Sequence, residues 1–220
     1  VKAVNAPTAR RAALTALWLQ VVTLVIYGIY DAFRKTGADL LLGSLDVVLA
    51  TISLALWTVL LGNFLRGETA KLTDARLRVF RLTYPWLIAL RAAVWLLTVV
   101  AILSGAGDTA NPIAVLLLFV VWGGGIAAGL ALYTVSAVLF ASPADTTGRA
   151  RLMTWLNLSA MLGVAITVTN IWPPTGFVPM PKFSDQLIWA GLGLEDLVAT
   201  LLALWAVRLM GGALVEGEKV

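Results

Sequence analysis

The sequence predicts an all-α integral membrane protein: a bundle of six transmembrane helices with the N-terminus and the C-terminus both cytoplasmic. Three observations predict it. Hydrophobic side chains make up 60% of the 220 residues and charged ones 13%, with a mean hydropathy of +0.91, well outside the range of water-soluble domains. Apolar runs of about 20 residues, the length that crosses a hydrocarbon core, recur along the whole chain. The cations alternate between connectors. With the N-terminus inside, Lys2, Arg10, Arg11, Arg66, Lys71, Arg76, Arg78, Arg81, Arg149, Arg151, Arg208 and Lys219 fall on the inner side. Only Arg34, Lys35 and Lys182 fall outside, and Arg91 alone lies within a span. That is the bias that orients membrane proteins.

The chain reads as one membrane domain, residues 1–220, with spans at about 12–33, 40–65, 82–104, 112–141, 153–172 and 187–210. A polar lead ending in Arg10 and Arg11 precedes the first span; leading into a full-length apolar run, it is not read as a cleaved signal peptide. Between spans 2 and 3 lies the charged connector 66–81. Its Glu68–Lys71 and Asp74–Arg78 spacings suit a helix, so it reads first as a solvated extension of helices 2 and 3. Span 4 opens on Pro112, where a first helical turn tolerates proline. At 30 residues it must tilt, kink or protrude, with Gly123, Gly124 and Gly125 as the expected place. The loop 173–185 carries four prolines among Phe177, Met180 and Phe183. It reads either as a stiff lid or partner-binding strap, or as a segment lying among lipid headgroups.

Several chemistries are excluded. With neither Cys nor His, the chain offers no disulfide, no thiolate and none of the usual zinc or haem ligands. No span holds a Lys for a retinal Schiff base, and no Walker or GxGxxG motif is present. Tyr30-Asp31 and the GLGLED run ending at Asp196 only echo an intramembrane aspartyl protease, at the wrong spacing. No catalytic residue, metal ligand or cofactor is assigned, nucleic acid has no support, and the chain is not read as an enzyme.

Helical spacing gathers polar residues on one face of each span. Span 1 offers Gln20, Thr23, Tyr27, Asp31 and Arg34; span 5 offers Ser159, Gly163, Thr167 and Asn170. Small and polar stripes of this kind are first of all helix–helix contacts. Gly125 and Gly129 of span 4 form such a small-xxx-small pair, and Ala12 and Ala16 give span 1 a spacing suited to docking another subunit. The ionisable residues inside the spans carry more information, because placing charge in hydrocarbon costs about 2.5–3.5 kcal/mol per residue. They are Asp46, Arg91, Glu195 and Asp196. Counting about 1.5 Å per residue, the acids lie roughly 10–14 Å below the outer surface and Arg91 somewhat deeper. All four are expected to face inward as one buried cluster, with Arg91 paired to Glu195 or Asp46. Fully ionised, the set carries two negative charges in excess, which in low dielectric favours binding a proton or a cation.

Two readings follow. One is a small-solute or ion transporter, or its membrane-embedded binding subunit, using Asp46, Arg91, Glu195 and Asp196. The other is a non-catalytic subunit of a larger membrane complex, in which the same charges fix helix register and partners dock through the 173–185 loop or the 66–81 connector. Either places the chain in the lipid bilayer of a cell membrane, with a bacterial plasma membrane as the expected one.

Overall fold

The computed structural model describes residues 6–66, 74–106, 113, 116–117, 120–121, 123–128, 131, 146–171 and 182–217. Every regular element among them is helical. The helices are α1 (Ala6–Ala32), α2 (Gly37–Leu65), α3 (Asp74–Ala106), α5 (Thr146–Ile171) and α6 (Phe183–Gly217). The described positions between 113 and 131 are also helical and belong to α4. Four stretches are long and apolar enough to cross a membrane: Ala6–Ala32, Gly37–Leu65, Ala150–Ile171 and Phe183–Leu209. A shorter apolar stretch, Leu82–Leu97, lies within α3.

The helices overrun the apolar runs at most ends. α3 begins at Asp74 rather than 82, α5 at Thr146 rather than 153, and α6 runs from Phe183 to Gly217 rather than 187–210. The 35 residues of α6 rise about 52 Å at 1.5 Å per residue, well beyond a hydrocarbon core of about 30 Å. Hydropathy marks only the part in lipid, whereas the helix continues into water. The 74–81 part of the charged connector is accordingly the first two turns of α3. Pro85 lies inside α3 and deprives it of one backbone hydrogen bond.

Neighbours in sequence are neighbours in space. α1 packs on α2 and α6, α2 on α3, and α5 on α6, while α2 barely touches α6. α4 fits between α3 and α5 through its glycines. A methyl at Gly123 would lie 3.0 Å from Trp95 of α3, and one at Gly125 only 2.7 Å from Ile166 of α5. Residues 123–128 are regular helix, so the glycines allow close approach rather than mark a break. Side-chain bonds give antiparallel registers. Gln20 meets Asp196 and Tyr27 meets Trp189 between α1 and α6, and Asp46 meets Arg91 while Ser53 meets Tyr84 between α2 and α3. The start of α1 and the end of α6 therefore lie at one end of the bundle.

That end is the packed one. Its core includes Leu17, Leu60, Leu61, Tyr84, Leu152 and Leu156, all nearly inaccessible. The α1–α6 register brings Ala13 level with Ala203 and Ala9 level with Val207, and these too are buried. Small residues let the backbones approach, which matters where lipid competes equally for apolar contact. Ala9 and Ala13 thus belong to an internal contact, and Ala16 packs against the same core. The proposed docking face at Ala12 and Ala16 is only half-exposed.

Candidate functional site

On each helix the buried stripe can be followed away from the packed end. On α1 it runs Ala9, Ala13, Leu17, Gln20; on α2, from Phe64 through Leu60, Trp57, Ser53 and Ala50 to Asp46. On α3 it runs Tyr84, Ile88, Arg91, and on α6 Val207, Ala203, Thr200, Asp196. These steps of three and four keep one face of a helix. Each apolar stripe thus ends in a polar or charged side chain that points inward.

The single buried cluster expected from sequence is not formed. Arg91 selects Asp46: its Nε donates to Asp46 Oδ1 at 3.3 Å. Glu195 instead accepts from the Thr23 hydroxyl at 3.0 Å, and Asp196 from the Gln20 amide at 2.6 Å. Among the described residues neither of these two carboxylates has an ion-pair partner. Register is the reason, since α3 and α6 are separated around the bundle while α1 and α6 are adjacent. Glu195 and Asp196 point about 100° apart, yet both find a donor on α1, where Gln20 and Thr23, three residues apart, share one face.

Nor are the charges buried. The side chains of Arg91 and Asp46 are 28% and 41% accessible, and Asp196 is exposed although protein surrounds it closely. The Arg91 guanidinium is near enough for its charge to act on Asp196. Arg91, Asp46 and Asp196 are thus accessible side chains at one level of the bundle. Gln20, by contrast, is only 8% accessible, and its amide finds the acceptor that a buried polar group needs.

The α1 stripe continues from Gln20 through Thr23, Tyr27 and Asp31 to Arg34, about 21 Å at 1.5 Å per residue. On α6 it continues from Asp196 to Trp189 and Asp185. From Tyr27 and Trp189 outward, these two faces line a cavity of about 220 Å³ at the loose end. Arg34 is paired with Asp185 across 151 residues of sequence, and Lys35 with Asp31 at 2.8 Å. The neighbouring Asp185 carboxylate raises the Arg34 pKa still further, so its charge is constant. Arg34 also lies over the Tyr30 ring, 5.1 Å from its centre. The indole of Trp189 donates to the Tyr27 hydroxyl at 3.3 Å.

Span 1 thus presents the polar face that its spacing indicates. Sequence reasoning missed the partnership of that face with α6. The signal was available in the matching series Asp185, Trp189, Asp196, which keeps one helical face. The polar stripe of α5 is mostly packing: Gly163 lies against Leu197, and Asn170 donates to the Trp189 carbonyl at 3.0 Å. Residues 67–73 of the 66–81 connector, most of the 173–185 loop, and parts of span 4 including Gly129 lie outside the described residues. Among the described residues no group of acidic side chains is arranged to hold a metal ion. Comparison with protein-family models, with curated proteins and with solved structures returns no match for this chain, so the functional reading rests on its own side chains.

Proposed function

We infer that the chain is a six-span membrane protein that admits a small charged solute to a polar chamber between its helices. Asp46, Arg91, Glu195 and Asp196 form the wall of that chamber, and the apolar core beneath them is its floor. One observation carries the reading: the inward stripes of four helices end in Gln20, Asp46, Arg91 and Asp196 while three of these remain accessible. Charged side chains within spans are costly and mark pathways when they face water inside a bundle. The distribution of cations supports an orientation for this reading. Arg10, Arg11, Arg66, Arg78, Arg151 and Arg208 gather at the packed end, whereas Arg34, Lys35 and Lys182 lie at the loose end. The packed end is therefore the cytoplasmic one, both termini are inside, and the chamber opens outward.

Among the described residues Glu195 and Asp196 have hydrogen-bond donors but no ion-pair partner, and that excess of carboxylate favours proton- or cation-coupled movement over passage of an anion. The test is reconstitution of the full chain in liposomes carrying a pH-sensitive dye, with a proton gradient applied. Gradient-driven proton entry that is lost in Asp196→Asn and Arg91→Gln supports transport. If tight vesicles show no proton movement and the chain purifies with fixed partner subunits, the accessory-subunit reading replaces it.

A further inference from the structure

The mouth of the chamber differs in chemistry from its interior. Where the interior has an excess of carboxylate, the mouth is balanced: Arg34 and Lys35 face Asp31 and Asp185 in a cavity of about 220 Å³. We propose that this mouth is a binding site for a small zwitterion with an apolar side chain, of the size of an aliphatic amino acid. The proposal deepens the transport reading by assigning the solute class at its entrance.

Three features support it. The first is charge. A singly charged solute can satisfy Arg34 or Asp185 but strands the other, whereas a zwitterion inserted between them satisfies both. Its carboxylate accepts from Arg34 and its ammonium donates to Asp185. The pair it separates joins the end of α1 to the start of α6, and both side chains are accessible, at 37% and 21%. Exposed pairs of this kind are weak and yield to a ligand at little cost.

The second feature is a free donor. The Tyr27 hydroxyl accepts from the Trp189 indole, and among the described residues its own proton has no acceptor. It is available to a carboxylate alongside Arg34. The third is the apolar part of the lining, to which Tyr27, Trp189 and Ile188 contribute. A volume of about 220 Å³ equals roughly seven waters at about 30 Å³ each. That is room for an aliphatic side chain with its amino and carboxyl groups.

The experiment is equilibrium binding of radiolabelled L-leucine to the full chain in mild detergent. Competitors are its decarboxylated analogue 3-methylbutylamine, its deaminated analogue 4-methylpentanoate, and O-phosphoethanolamine as the lipid-headgroup form of a zwitterion. Saturable leucine binding is expected, with each competitor at least tenfold weaker than unlabelled leucine. Arg34→Gln and Asp185→Asn should each weaken leucine by tenfold or more. Absence of saturable binding overturns the proposal, as does equal competition by either singly charged analogue. Tighter binding of O-phosphoethanolamine would assign the mouth to lipid and overturn it too. Because the competitor series uses the unaltered protein, a misfolded variant does not decide the matter. Leucine binding without proton movement in liposomes would leave this site standing and remove the transport reading. Proton movement without leucine binding would do the reverse.

Discussion

Removing the Arg91 charge separates an open chamber from a buried network. At the observed 3.3 Å, Coulomb's law gives about 5 kcal/mol at an effective dielectric of 20 and about 1.3 kcal/mol in water. With 28% and 41% of the two side chains accessible, the pair belongs nearer the aqueous limit. A coupling of about 1–2 kcal/mol is therefore expected after the entropy of holding both side chains is discounted. A dry pair behaves differently. Truncating one partner there strands a buried charge and costs about 3–5 kcal/mol. The measurement is a double-mutant cycle on Arg91→Gln and Asp46→Asn, with stability read from unfolding in mixed micelles. Each single variant should lose less than about 2 kcal/mol, and the double should lose little more than either. A loss above about 3 kcal/mol for Arg91→Gln alone would refute the reasoning and restore a buried network.

Other substitutions test the packing that frames the chamber. A methyl at Gly28 would lie 2.7 Å from Val47 Cγ1, and a β-branched side chain on a helix has no free rotamer to yield. Gly28→Ala should thus cost about 1–3 kcal/mol in the same unfolding assay. Leu156, 0% exposed in the floor, should lose about 2–5 kcal/mol on truncation to Ala. Leu19, 58% exposed on the lipid side, should lose about 0.5 kcal/mol or less; a ranking in the opposite order would contradict the assigned core. Tyr84 is buried with its hydroxyl 3.4 Å from the Ser53 carbonyl, so Tyr84→Phe should cost about 0.5–1 kcal/mol, seen as a small shift in the unfolding midpoint.

Much of this architecture was legible in the sequence, because lipid permits few alternatives. Backbone groups must be satisfied within each segment, so an apolar run of sufficient length becomes a helix whatever its neighbours. Inward faces were legible for a related reason. Polar residues repeating at steps of three and four, such as Gln20, Thr23, Tyr27, Asp31 and Arg34, have one face to share. Helix ends were not. Residues 183–186 are polar enough to read as loop, yet they continue a helix begun in lipid, whereas 74–81, expected as an extension of helix 3, are one. Nor was partner choice legible. Asp46 and Glu195 were equivalent candidates for Arg91 in sequence, and only the order of helices around the bundle separates them. The exposure of the charges was hidden as well, since a composition rule assigns cost to a charge in hydrocarbon without showing whether the helices leave room for water.

The central claim is that the inward charges face water entering from the end that carries Arg34 and Lys35. The chain has no native cysteine, so single cysteines can be introduced without background. A charged, membrane-impermeant thiol reagent added from outside should modify Cys placed at Asp196 and at Asp46. Cys at Ala203, 0% exposed in the floor, should remain unmodified. So should Cys at Val198, 45% exposed but on the opposite face of α6, because it meets lipid rather than water. Protection at all four positions, or equal reaction at 196 and 198, would contradict the chamber.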